Sequence, residues 1–231
     1  RVAGLEQKGL GTPRDWHKPG FWPVFPSLCD PFDNEVPEGW REDFIRLTCQ
    51  TPNLTWLLLT KRIGNAGKMM AQYVDPVRDN IWLGASIVNQ PEAERDIPKL
   101  LATPAAKRFV SYEPALGPVD FSAFLDRGAE YYGRHEFEIL DQIIVGGESS
   151  QGGKKARMFD IEWARSTVRQ CREAGVACFV KQLGSNPMEV PPGKRAPWEK
   201  PGALWRRLQH DRAGADPAEW PEEIRVQEWP A

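Results

Sequence analysis

The chain has 231 residues, 41% of them hydrophobic, and a formal net charge of −2, which is enough for one large domain or two small ones. That balance gives no overall basic field for sequence-blind nucleic-acid binding and leaves room only for a local basic patch. No apolar run approaches the roughly 18 residues of a membrane span, and the start, RVAGLEQKGLGTP, is too polar for a secretory signal.

The first segment also lacks an initiator Met, which suggests a processed, trimmed or partly observed N-terminus. The first apolar run is 22-WPVFPSLCD-30. The segment 37-PEGWREDFIRLTCQ-50 predicts a helix with Trp40, Phe44 and Leu47 on one face, spaced by four and three. Strand-like runs follow at 55-TWLLLTKR-62 and 81-IWLGASI-87. In 91-PEAERDIPKLLA-102, Pro91 suits the first helical turn and the early acids suit the positive end of the dipole. Pro98 lies inside this segment and predicts a kink or break.

The next strand is 108-RFVSYEP-114, followed by 124-FLDRGAEYYGRHEFE-138, an insertion of weaker periodicity, and by 141-DQIIVGGES-149. In 160-DIEWARSTVRQCREAG-175, Asp160 is the expected N-cap and Gly175 the expected stop. Ile161, Ala164, Val168 and Cys171 form the apolar stripe of that helix. After the run 177-ACFVKQLG-184 comes a tail rich in Pro and Trp, expected to pack as an extension over 185–231. Its tryptophans Trp198, Trp205, Trp220 and Trp229 have two readings, a cover over the open side of the domain or a lid that stacks on ligand.

Apolar runs without strict alternation, each followed by a helical segment, describe strands buried on both faces of a parallel sheet. The choice is a doubly wound sheet or a (β/α) barrel. The runs begin about 25 to 35 residues apart and number six, which suits a partial (β/α) barrel over residues 1–184 better than a full one of about 250 residues.

In either fold, function gathers where strands end. The candidates there are Asp30, Lys61, Arg62, Ser86, Asn89, Glu113, Gly146, Gly147, Glu148, Lys181 and Gln182, beside Thr60 and Ser111. Lys61, Arg62 and Lys181 could hold an anion, and Glu113 and Glu148 could bind an amine, a hydroxyl or a proton in transit. Structural ion pairs and helix caps are the plain alternative for any single one. The stretch GGESSQGG is neither G-x-G-x-x-G nor a P-loop, so its glycines are read as a sharp turn open to a ligand. The three histidines, His17, His135 and His210, are scattered, and there is no H-E-x-x-H. Cys29, Cys49, Cys171 and Cys178 form no C-x-x-C pair and read as free thiols in a reducing, cytoplasmic setting.

Taken in order, PSLCDPFDNEVP, LLLTKR, IWLGASIVNQPEAERDIPKLLATPAAKRFVSYEPALGPVD and QIIVGGESSQGGKKARMFDIEWARSTVRQCREAGVACFVKQLG resemble a phage- and prophage-associated, radical-SAM-like family with a three-cysteine motif and largely uncharacterised function. The resemblance covers most of residues 22–184. It implies a radical-SAM-type barrel whose three cysteines ligate a [4Fe–4S] cluster. The cluster's open iron would hold S-adenosylmethionine, and reductive cleavage would give a 5′-deoxyadenosyl radical that takes a hydrogen from substrate. It further implies that Glu113, Glu148, Lys61 and Lys181 serve the reaction. Asp30, Arg62, Ser86, Asn89, Gly146, Gly147 and Gln182 would line the cofactor and substrate pocket.

The implied substrate is a small molecule, a nucleotide or a nucleic-acid base, and no membrane is involved. The sequence departs from this pattern at the cluster, because none of its four cysteines stands in a close triplet. Either the segment bearing them is not in this sequence, or a barrel without its cluster keeps an anion-binding mouth and recognises a ligand or a partner protein.

Overall fold

A computed structural model describes residues 21–26, 28–72, 78–125, 139–189, 206–207 and 213–230. In chain order the elements are β1 (Pro23–Val24), α1 (Glu38–Gln50), β2 (Thr55–Thr60), α2 (Ile63–Met70), β3 (Ile81–Ile87), α3 (Gln90–Leu101), β4 (Lys107–Tyr112) and α4 (Ser122–Leu125). They continue with β5 (Gln142–Gly146), β6 (Phe159–Asp160), α5 (Ile161–Ala174), β7 (Ala177–Gln182), β8 (Pro187–Glu189) and β9 (Arg206–Arg207).

Six strands form one sheet in the order β1-β2-β3-β4-β5-β7. The pairings β1–β2, β2–β3, β4–β5 and β5–β7 are parallel. The order follows the chain without reversal, whereas a doubly wound sheet reverses at a switch point. The fold is therefore α/β of the partial (β/α)-barrel class. A small second sheet has the order β6-β8-β9. The chain divides into two compact units, Arg1–Ala85 with Thr103–Arg108, and Ser86–Ala102 with Phe109–Ala231.

The first unit is built on β2 and β3, whose Trp56, Leu57, Leu58, Ile81, Trp82 and Leu83 are buried as their continuous apolar character requires. Asn80 ties the start of β3 to the end of α1, its Nδ2 donating to the carbonyls of Thr48, Thr51 and Leu54 at 3.0, 3.3 and 3.2 Å. Carbonyls at a helix end have no intrahelical donor, so one amide side chain here fixes several of them.

Helix α1 forms where predicted but presents a different face inward. Arg41, Ile45 and Thr48 are buried, while Trp40 is 72% exposed and Leu47 46%. The reason lies in Arg41, whose guanidinium donates to the carbonyls of Pro31, Asp33 and Val36 at 2.7, 3.1 and 3.1 Å. This polar anchor holds the loop before the helix and rotates the apolar face away from the sheet. Phe44 keeps an inward edge, meeting the Trp56 ring at 5.7 Å.

The second unit is organised around β5 and β7 under α5. Asp160 caps α5 through Glu162 N at 2.9 Å, Gly175 ends it in the left-handed region at φ 66°, and Ile161, Ala164, Val168 and Cys171 are buried. All three features follow the sequence expectation. Pro91 stands in the first turn of α3 as expected, but the helix continues through Pro98 to Leu101. The predicted break does not occur because Ile97, Leu100 and Leu101 are buried on its inner face, and Ala102 N closes onto Pro98 O at 3.0 Å.

Residues 213–230 pack within this second unit. Val180 N donates to Val226 O at 2.8 Å and Glu228 N to Cys178 O at 2.9 Å, laying the tail along β7. Arg165 of α5 bonds Glu189 of β8 at 2.6 Å and Glu223 of the tail at 2.7 Å. Trp220 is 2% exposed and its Nε1 donates to Gly214 O at 3.0 Å. Trp229 meets Phe179 at 5.3 Å. Trp220 and Trp229 thus make packing contacts, while Trp198, Trp205, the insertion beyond Leu125 up to 138, residues 1–20 and all three histidines lie outside the described residues.

Candidate functional site

In the first unit, the turn after β1 and the end of β2 enclose a cleft of about 310 Å³ lined by Pro26, Leu28, Cys29, Asp30, Asp33, Leu59, Lys61 and Arg62. Asp30 is the organiser. Its Oδ1 accepts from Phe32 N at 3.1 Å, as a short acid does in a turn. Its Oδ2 accepts from Lys61 N at 2.9 Å, joining the β1 loop to the end of β2.

Thr60 Oγ1 takes Arg62 N at 2.8 Å, and the Arg62 guanidinium stands 3.6 Å from Asp33. Among the described residues, Lys61 Nζ has no hydrogen-bond or ion-pair partner. The Cys29 thiol is exposed, and partial desolvation followed by the Asp30 carboxylate pushes its pKa up.

In the second unit, Glu113 follows β4 and Lys181 stands on β7, on either side of β5 in the sheet order. The Glu113 carboxylate accepts from Lys181 Nζ at 3.3 Å and from Ser111 Oγ at 3.1 Å. Glu113 is mostly buried and Lys181 half exposed. Gly146, at the end of β5, makes room for this pair, because a Cβ there would lie 2.6 Å from Glu113 Oε1. One residue on, Gly147 N donates to Gln182 O at 2.9 Å. The Gln182 amide returns bonds to Gly147 O at 3.0 Å and Ser149 Oγ at 3.1 Å.

Glu148 is spent on Arg157. The Arg157 backbone N–H, Nε and Nη2 reach its two oxygens at 2.8, 2.9 and 2.8 Å, and these bonds pull its carboxyl down to about 2. The turn Gln151–Lys154, with Gly152 and Gly153 at φ 57° and 79°, folds the chain back so that the pair can form. A depressed carboxyl contributes stability above its ordinary value and loses it as the pH falls toward the folded value. Arg157→Ala is therefore expected to lower stability by about 1 kcal/mol at neutral pH, as a half-exposed pair does. That difference should vanish between pH 4.5 and about 2, in thermal melts of both proteins across that range.

The structure thus groups Asp30, Lys61 and Arg62 in one cleft and Glu113 with Lys181 and Gly146 in one cluster. It joins Gly147 to Gln182, and gives Glu148 to an arginine the sequence reading had not singled out. Ser86 is half-buried in β3. Asn89 caps α3, accepting from Glu92 N at 3.1 Å. Asp33 and Arg157 were missed, although the spacing D-P-F-D and the Gly-Gly turn each offered a signal.

The cysteines do not fit a three-cysteine cluster. Cys29 is exposed after β1, Cys49 lies half-buried in α1, and Cys171 and Cys178 are buried in the second unit. The neighbouring Cys171 thiol, followed by burial, pushes Cys178 up. Among the described residues, no group of three or more His, Cys, Asp or Glu side chains could hold a metal ion, and no helix is long and apolar enough to cross a membrane.

No curated protein and no solved structure matches the sequence. One family does, described as "Protein of unknown function (DUF5131)", over residues 2–216. By that match, which spans nearly all of the sequence on which this barrel and its strand-end residues are built, the chain belongs to the DUF5131 family.

Proposed function

We propose that this chain binds a small anionic ligand, a phosphate- or carboxylate-bearing molecule of nucleotide type, through the cleft headed by Lys61 and Arg62. The observation that carries the reading is the Lys61 ammonium, without a partner among the described residues, on a cleft of about 310 Å³. The neighbouring charges are already engaged, Asp30 by two backbone amides and Arg62 by Asp33. A cation whose backbone is fixed and whose head is unspent can meet an anion with little rearrangement. Small-ligand pockets begin at roughly 300 Å³, so the cleft suits a phosphate or carboxylate head better than a whole dinucleotide.

A second reading is S-adenosylmethionine-dependent radical chemistry, favoured by the sequential parallel strand order. It needs a cluster held by residues other than the four cysteines of this sequence. In that reading Glu113 and Lys181, with their carboxylate and ammonium side by side, contact the cofactor or the substrate.

Calorimetric titration with AMP, inorganic phosphate and S-adenosylmethionine separates the two. AMP and phosphate are expected to bind, and Lys61→Ala to weaken them about tenfold, or roughly 1.4 kcal/mol. Unchanged affinity in Lys61→Ala, or no anion binding at all, defeats the first reading. Binding of S-adenosylmethionine alone, lost in Lys181→Ala, selects the second.

A further inference from the structure

Leu28 is 102% exposed, so its side chain touches almost nothing, and it lines the cleft of about 310 Å³ on which Lys61 stands. Single exposed leucines are ordinary on a protein surface. This one differs in how it is held. Cys29 N donates to Pro26 O at 3.0 Å, which sets Leu28 at the tip of a tight turn. Two residues on, Asp30 ties that turn to the end of β2 through Lys61 N at 2.9 Å. Pro31 O and Asp33 O accept from the Arg41 guanidinium at 2.7 and 3.1 Å, and Phe32 O accepts from Asn65 Nδ2 at 3.0 Å. Polar bonds thus fix the loop along its length, and its apolar anchor is the fully buried Phe32. Leu28 contributes to neither. Phe21 and Trp229, also exposed, have ring partners in Trp82 and Phe179 at 5.5 and 5.3 Å.

The lining of the cleft divides by chemistry. Its carboxylates are engaged, Asp30 by two backbone amides and Asp33 by Glu35 N at 2.9 Å and Arg62 at 3.6 Å. Beside them the lining is Pro26, Leu28, Cys29 and Leu59. Leu59 and Lys61 are two positions apart, the spacing that sets side chains on one face of an extended chain. A ligand whose anion meets Lys61 therefore carries its body over proline and leucine. These side chains offer nothing to sugar hydroxyls, and the gain from covering them grows with the apolar area the ligand brings. A flat ring brings such area, whereas a bare phosphate or a hydrated sugar does not.

We infer that Leu28, with Pro26 and Leu59, is the specificity-determining wall of this cleft, packing on the ring of a phosphate monoester whose anion Lys61 holds. The ligand class is then a nucleoside monophosphate, selected over inorganic phosphate and over a sugar phosphate. This rests on Lys61 holding the anion, as proposed above, and adds what recognises the rest of the molecule. The turn presents Leu28 already in place, so little ordering is needed when the ring arrives.

The test is calorimetric titration of the full chain with AMP and with ribose 5-phosphate, which differ only by the base. The wild type is expected to bind AMP about tenfold more tightly, as burial of one leucine allows. Leu28→Ser should cut that ratio below about threefold, and Leu28→Met, which restores an apolar side chain, should return it to about tenfold. Lys61→Ala should weaken both ligands about tenfold and keep their ratio. Leu28→Ser should also melt with the wild type, because the side chain it removes is not packed, and a fallen midpoint would count Leu28 as a packing residue and overturn the inference. Equal affinity for the two ligands in the wild type, or a ratio that Leu28→Ser leaves unchanged, overturns it as well, while binding of both that depends on Lys61 leaves the anion site standing. No binding of either ligand, or binding that Lys61→Ala does not alter, overturns the anion site and the Leu28 wall together.

Discussion

Trp220→Ala is expected to cost about 3–5 kcal/mol, the usual loss for a large aromatic removed from a core. Trp220 is 2% exposed, its indole N–H satisfies Gly214 O at 3.0 Å, and Arg225 Nε donates to its carbonyl at 2.9 Å. The substitution deletes the ring, opens a cavity and removes one of the two donors to Gly214 O, leaving that from Leu183 N. In a domain of this size each kcal/mol moves Tm by about 2–4 °C, so the melt should fall by roughly 10 °C. A lid would behave differently, with Tm preserved and ligand affinity lost. Thermal melting and titration of the same variant decide between the two, and a variant that melts with the wild type refutes the packing role.

Gly147→Ala is the second large effect. A Cβ at Gly147 would sit 2.6 Å from the carbonyl carbon of Leu183 and 3.0 Å from Gly184 N. These are backbone atoms and cannot rotate away as a side chain would. Either the end of β5 or the segment after β7 must shift, straining the Gly147 N–Gln182 O bond of 2.9 Å. A loss of about 2 kcal/mol or more is expected. Gly117→Ala is the control, because nothing lies within 4 Å of a Cβ there, and its midpoint in urea should match the wild type. Equal midpoints for both variants would show that the close approach at Gly147 does not matter.

How far the sequence reads through to this structure differs from element to element. The ends of α5 were legible because Asp160 and Gly175 act locally, one by a side-chain bond two residues on and the other by its own φ. The α1 face was not legible, because what turns it is Arg41 bonding carbonyls five to ten residues upstream. Periodicity sees the apolar stripe and cannot see the anchor. Pro98 does not break α3 for a related reason, since burial of Ile97, Leu100 and Leu101 outweighs one missing N–H.

At the strand ends, residue type singled out the charged positions but not their partners. Glu113 and Lys181 are 68 residues apart, and only the sheet order, which sets β4 and β7 on either side of β5, brings them together. Glu148 looked like a pocket acid, and the two glycines of its own loop return Arg157 to it. In the second unit the charged strand-end side chains Glu113, Lys181 and Glu148 are thus paired, while in the first unit Lys61 Nζ has no partner among the described residues.

The pairing of the tail with β7 also has a temporal side. The edge of β7 is covered by residues about 50 positions later, as the Cys178–Glu228 bond shows. At about 5–20 residues per second, a ribosome needs roughly 3–10 s to deliver that cover after β7 itself is made. For that interval the nascent chain carries an open parallel edge, the kind of surface that recruits a neighbouring strand. Slow stretches of translation between these segments would lengthen the exposure, so yield of soluble protein in a cell should depend on the pace of synthesis as well as on the stability of the finished fold.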